Sequence, residues 1–372
     1  MTISRRQFEV ASLAALCGTA ATSRTRAQNL ISEDKPAAAA PKEVPWLAEI
    51  QTRPFKSLPD APRLSPLLVD AKGKPIVTLA EWLRRRIELR REWSELLGSW
   101  EPPKEPPTFE VLASDRLADV SRQLIRYETE PGASVEAYLL TPTRSFGRRP
   151  GVVVLHSTVD YTIRQGAGLE GPAEAAWGLK LAQRGMVVLC PRCFLWNGEE
   201  QTDYQKRVDE HWKRHPRSRG IVKMAFDGSR ALDLLASHRQ VNPDRLGAAG
   251  HSLGAKEALY LAAMDDRVKA VVSSEGGIGT TFSNWHAPWY LDTKKLGREH
   301  HELLALIAPR AFLLIGGDSA DGAQSWPFIE ASLEVYRLFS QKARIGLYNH
   351  AKGHTIPPLA EARTYEWLQT YL

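Results

Sequence analysis

Between residues 78 and 100 the apolar side chains of Leu79, Trp82, Leu83, Ile87, Trp93 and Leu97 recur at helical spacing, with arginines and glutamates between them. That period predicts an amphipathic helix packed on a larger domain and stopped by Pro102, Pro103, Pro106 and Pro107. Beyond residue 118 the pattern changes. Residues 122–129 and 134–141 flank Glu130-Pro131-Gly132-Ala133 and predict an antiparallel hairpin. Short apolar runs follow at 151–155, 186–190, 246–249, 268–273, 311–315 and 345–348, each bounded by turn or polar residues and separated by helical patterns. Runs without polar alternation are strands buried on both faces, and the helices between them supply the crossovers of a parallel sheet. The prediction is an α/β fold: an eight-stranded, mostly parallel sheet with helices on both faces and an N-terminal helical arm. No internal repeat is visible, which disfavours a solenoid or propeller.

Upstream the periodicity is absent. Residues 28–77 are rich in Pro and Ala and predict a linker and extended arm, leaving 78–372 as the folded domain. Residues 1–27 have a different character: Ser4-Arg5-Arg6-Gln7-Phe8 precedes a short apolar run from 10 to 21. This is the order of a twin-arginine export signal, cleaved after Ala20 or Ala27, and it predicts a periplasmic or secreted protein. The run is too short and too rich in Ala, Gly and Thr for a stable membrane anchor. Leu16 before Cys17 is bulkier than lipidation accepts.

The 372 residues, 43% hydrophobic and 25% charged, suffice for one large domain with a sizeable core. Loss of residues 1–27 removes four arginines and one glutamate, reducing the formal charge from +6 to +3, too little to argue for nucleic acid. The remaining cysteines, Cys190 and Cys193, are read as buried thiols or a local disulfide. A zinc site needs about four ligands and no second pair exists.

The chemistry concentrates in Gly250-His251-Ser252-Leu253-Gly254, which joins the run at 246–249 to a helical pattern. A serine on so sharp a strand-to-helix turn needs small neighbours, and the helix behind it points backbone donors at any oxyanion formed there. Ser252 is therefore the candidate nucleophile. A hydroxyl needs a base, and His354 in Gly353-His354-Thr355, after the last strand, is positioned to supply it; His350 competes from the strand end. Oxyanion donors are expected at Leu253 and in the loop after 151–155, near Ser157. Three carboxylates at strand ends, Glu275, Asp318 and Asp321, compete to orient His354, and topology leaves the choice open.

With Trp82, Arg84–Arg86, Asp227, the Ser252 elbow, residues 271–277, residues 304–309 and Gly353-His354 in this order, residues 80–372 resemble the carbohydrate-esterase branch of the α/β-hydrolases. That branch includes glucuronoyl esterases, acetylxylan esterases and dienelactone-hydrolase-like enzymes. The resemblance implies the α/β-hydrolase fold and a serine carboxylic-ester hydrolase with no metal or organic cofactor. Its substrate would be a small-molecule or oligosaccharide ester. The resemblance favours Glu275 through Ser274-Glu275-Gly276-Gly277, while other members of the branch favour Asp321 through Ala320-Asp321. Lys256 matches a sugar-contacting lysine of glucuronoyl esterases, but Leu253 stands where those enzymes carry an arginine, so an acetyl-carbohydrate ester is at least as well matched. Trp285, in the aromatic stretch after Glu275, is expected at the mouth of the site. Two other readings compete: an acylaminoacyl-type serine peptidase, disfavoured because no propeller precedes the domain, and an inactive hydrolase fold used for binding.

Overall fold

Chains of Val, Ile and Leu with no polar face form strands only where helices cover both sides. The computed structural model, which describes residues 42–53, 62–99, 101–144, 147–196, 204–283, 291 and 297–372, shows that arrangement. Its strands are β1 (Phe109–Arg116), β2 (Val120–Glu130), β3 (Ala133–Pro142), β4 (Arg149–Leu155), β5 (Val187–Pro191), β6 (Val241–His251), β7 (Val268–Ser274), β8 (Ala311–Gly316) and β9 (Ile345–Asn349). They form one sheet in the order β1-β2-β3-β5-β4-β6-β7-β8-β9. β1, β2, β3 and β5 pair antiparallel in succession, and the remaining pairs, from β5–β4 to β8–β9, are parallel.

The sheet has nine strands, not eight. The additional strand, β1, is exposed along almost its whole length, so no apolar run or alternation marks Phe109-Glu110-Val111-Leu112-Ala113-Ser114-Asp115-Arg116 as a strand.

Side-chain alternation along β4 divides the core. Val152 and Val154 join the layer containing Trp177 and Leu181 of α4 (Trp177–Gln183) and Trp367 and Leu368 of α10 (Pro358–Tyr371). Val153 and Leu155 face the other layer. That layer includes Leu232 of α6 (Gly220–Ser237), Leu259 of α7 (Leu253–Met264), Leu306 of α8 (His301–Ile307) and Phe328 of α9 (Trp326–Tyr336).

The predicted N-terminal helix is α2 (Leu79–Leu97), opened by a reciprocal Thr78–Glu81 capping box and ended by Gly98 at φ 70°. Its buried side is Trp82, Leu89, Trp93 and Leu97. Leu83 and Ile87, placed on the apolar face by spacing, are exposed; they lie roughly 100–140° around the helix from Trp82 at 100° per residue. Part of the arm is also ordered against the domain. Val44 and α1 (Leu47–Ile50) bury apolar side chains beside β9, and Gln51 Nε2 donates to the Ala343 and Ile345 carbonyls at 2.5 and 3.0 Å.

Candidate active site

Three consecutive parallel strands end in a residue forced into the left-handed region: Ser252 (φ 57°) after β6, Glu275 (φ 55°) after β7 and Asp318 (φ 63°) after β8. Non-glycine residues adopt such angles only when their surroundings hold them there, and such sites cluster at functional centres. At Ser252 the cause is visible. Its N–H donates to the Ser274 carbonyl at 2.8 Å while α7 begins at the next residue. A Cβ on Gly254 would lie 2.1 Å from the Leu155 carbonyl oxygen, and one on Gly250 would lie 2.2 Å from the Gly254 backbone. Glycine at both positions is therefore a steric condition for the turn.

His354 is partly exposed, and its Nδ1 donates to Glu275 Oε2 at 3.2 Å. Glu275 is buried to 1% exposure and also accepts the N–H groups of Gly317 and of Ala320, the latter at 2.7 Å. A buried carboxylate held by two backbone donors and one imidazole is aimed at the histidine and stays in place. The other two acids are engaged elsewhere. Asp321 accepts from Gly277 N at 2.7 Å and Ile278 N at 2.8 Å and from the Ser325 hydroxyl at 2.8 Å, tying two loops together. Asp318 accepts from Asn349 Nδ2 at 2.7 Å and Ala323 N at 3.1 Å. The competing His350 accepts the Lys352 N–H on Nδ1 at 3.1 Å and closes its own turn.

His251 is a contributor that motif spacing did not single out. Its ring centroid lies 4.7 Å from that of His354, it contacts Trp177 edge-on at 6.5 Å, and Nδ1 bonds to Ser274 Oγ at 3.1 Å. Burial, with smaller contributions from His354 and His350, lowers its pKa to about 3, so a neutral ring lies against His354.

Two expected contributors occupy different roles. The Ser157 amide donates to Gln165 Oε1 at 3.3 Å and its hydroxyl donates to the His251 carbonyl at 3.2 Å, so its N–H is already engaged within its own loop. His156 beside it is buried, with its pKa lowered to about 4 by burial, and its Nε2 accepts Cys193 N–H at 3.0 Å as a strut between loops. Lys256, expected to contact sugar, is 1% exposed and donates to the Gly277 carbonyl. Burial lowers its pKa to about 8 against the opposing pull of Asp321 and Glu299. As the fourth residue of α7 it points under the Glu275 loop rather than out of the site. Trp285 lies outside the described residues. Leu253, with its amide at the head of α7, retains an N–H of the kind left unpaired in a first helical turn.

Cys190 and Cys193 are free, buried thiols, pushed up in pKa by burial. Cys193 bonds to Glu257 on α7, whose carboxyl is lifted to about 8, chiefly by burial. With the folded value above the unfolded 4.5, the folded state holds more protons between those limits. Stability contributed below pH 4.5 is therefore lost as the pH rises to about 8. Glu257→Gln should abolish that decline: melting curves of the two proteins should nearly coincide near pH 4.5 and diverge toward pH 8, with the variant the more stable. Parallel profiles would contradict it.

Residues 135–290, which include Ser252 and Glu275, match the Dienelactone hydrolase family. The YtaP protein of Bacillus subtilis (strain 168), named as a hydrolase, is 26% identical over 304 residues, covering 77% of this chain and all of its own. Among solved structures, a glucuronoyl esterase from Solibacter usitatus superposes with a TM-score of 0.69 at 16% identity, covering 84% of this chain and 98% of that one. An acetyl xylan esterase from Paenibacillus sp. R4 gives 0.55 at 16% identity, covering 88% and 99%. With the nine-stranded sheet and the elbow between β6 and α7, these likenesses show the α/β-hydrolase fold, with a segment at its centre that matches the Dienelactone hydrolase family.

Proposed function

We propose that this protein is a serine carboxylic-ester hydrolase acting on acyl esters of carbohydrates. The observation that carries the reading is the His354–Glu275 pair beside the strained Ser252 elbow. In this scheme Ser252 Oγ attacks the ester carbonyl, His354 takes its proton and delivers it to the leaving alcohol, and Glu275 holds the ring and stabilises the imidazolium. The Leu253 amide supports the oxyanion. Water then attacks the acyl-serine as His354 takes one of its protons, and His354 passes that proton to Ser252 Oγ as the acid is released.

An acetyl ester fits better than a glucuronoyl ester, because Leu253 replaces the arginine of the resemblance and Lys256 is buried under the Glu275 loop. Export through the twin-arginine route to the periplasm or beyond is part of the proposal, supported by the order of residues 4–21. The test is a panel of an acetyl aryl ester, an acetylated xylo-oligosaccharide and a methyl-glucuronate ester. The acetylated oligosaccharide should give the highest kcat/KM. Preference for the glucuronate ester would reverse the substrate assignment, and inactivity on all three would overturn the esterase reading.

A further inference from the structure

Apart from the Ser252 site, a cavity opens at the same end of the parallel strands, beyond the carboxyl end of β5. Its volume is about 380 Å³, in the lower range of small-ligand sites. It lies between the β2–β3 hairpin, the segment after β5, and α5 (Tyr204–Arg214) with the start of α6. β5 is two positions from β6 in the sheet, about 10 Å at ordinary strand spacing. Arg192 joins the two regions: one arm of its guanidinium donates to Thr162 Oγ1 at 2.9 Å, in the loop following β4 beside the elbow, and the other reaches Glu136 at 3.2 Å.

Among the described residues the lining carries more cationic than acidic side chains. Arg126, Arg192, Arg207, Arg214 and Lys223 face it. Lys223 is matched at the floor by Asp227, and Arg214 by Glu130 at 3.3 Å. Arg126 and Arg192 share a single carboxylate, Glu136, at 2.9 and 3.2 Å. Arg207 contacts the Phe194 carbonyl at 3.5 Å and makes no ion pair with a described carboxylate. Beside Glu136 and Asp227, Glu210 is the third acid among the described lining residues and is exposed. Among the described residues, Arg126, Arg192 and Arg207 thus converge on the side of the cavity that carries Glu136 and Glu210. His211 adds no charge, since burial lowers its pKa to about 3. Beside the guanidinium groups lies the half-buried ring of Phe194, an apolar surface for the carbon face of a sugar.

We propose that this cavity is a subsite for a sugar unit bearing a free carboxylate, so that the ester presented to Ser252 belongs to an acidic carbohydrate. Paired guanidinium groups recognise a planar carboxylate through charge-assisted hydrogen bonds. The placement relative to the scissile bond rests on the esterase reading; binding of the acidic sugar does not.

The test is calorimetric titration of the full-length Ser252→Ala protein, which allows binding without turnover. The probes are xylotriose carrying one glucuronate, neutral xylotetraose and inorganic phosphate. The acidic oligosaccharide should bind about tenfold or more tightly than the neutral one, as expected for charged hydrogen bonds. The advantage should shrink in about 1 M NaCl, where screening acts within roughly 3 Å. Adding Arg207→Gln or Arg192→Gln should remove most of it, whereas Arg91→Gln, which deletes an exposed charge on α2, should not. Equal affinity for acidic and neutral sugars, an advantage insensitive to Arg207→Gln and Arg192→Gln, or phosphate binding as tight as the acidic sugar would overturn the proposal. An acidic preference together with inactivity on every ester would leave the subsite standing and remove the esterase assignment.

Discussion

Ser252→Ala is expected to lower kcat for ester hydrolysis by about 10⁴–10⁶ while leaving KM and folding nearly unchanged. The loss is large because no covalent acyl-enzyme forms without Oγ; what remains comes from binding and from oxyanion donors such as Leu253 N–H. Folding should survive because the strain at this position is in the backbone. Alanine at φ 57° pays the same conformational penalty as serine, and the Ser252 N–H to Ser274 carbonyl bond is retained. Ser252→Gly relieves that strain and should melt at a higher temperature while being as inactive. Steady-state kinetics with thermal melts of both variants check the pair of statements. Retention of more than about a hundredth of the activity in Ser252→Ala would remove the serine from its role.

The elbow was legible because its chemistry and its sterics coincide in five adjacent residues. Gly250 and Gly254 are needed by contacts to Leu155 and to each other that any residue with a Cβ would break, so the pattern itself reports the turn. The buried strands were legible for a similar reason: β4 to β9 pack on two helical layers and carry unbroken apolar runs. Strand β1 and the exposed positions of α2 show where that logic stops. β1 is held by ladder hydrogen bonds to β2 with little burial, and backbone pairing has no side-chain signature. Leu83 and Ile87 are apolar without being buried, which hydrophobic spacing alone cannot separate from a core face.

Side-chain direction was the harder quantity. Lys256 follows the elbow at a telling distance, yet its Nζ turns inward to the Gly277 carbonyl, and the Ser157 amide turns to Gln165. The cationic cavity escaped notice because its arginines come from β2, the segment after β5, and α5, and meet only in the fold. The acid was ambiguous because all three carboxylates follow strands that end side by side, at β7 and β8. What separates them is the occupation of their oxygens, a property of the folded loops alone.

That occupation gives the second large effect. Glu275→Gln should reduce kcat by roughly 10³–10⁴, by analogy with loss of the acid from serine triads. As a carboxylate, Glu275 accepts from Gly317 N, Ala320 N and His354 Nδ1 at once. Glutamine has one acceptor oxygen and one donor nitrogen, so at least one of these contacts becomes donor against donor, and two do if the nitrogen takes the oxygen position shared by Ala320 N and His354 Nδ1. If the amide nitrogen turns to His354, the imidazole must accept on Nδ1 and carry its proton on Nε2, the tautomer that cannot take a proton from Ser252. If it turns to the loop, a buried backbone donor loses its partner at about 1–3 kcal/mol. Either route also removes the negative charge that steadies the imidazolium during the reaction. Asp321→Asn should behave differently: its contacts to Gly277, Ile278 and Ser325 join loops and do not touch His354, so its main effect should be a lower melting temperature. Measured side by side, a large kcat loss confined to Glu275→Gln identifies it as the orienting acid; a large loss in Asp321→Asn with Glu275→Gln near wild type would move the role to Asp321 and require the His354 ring to leave its present partner.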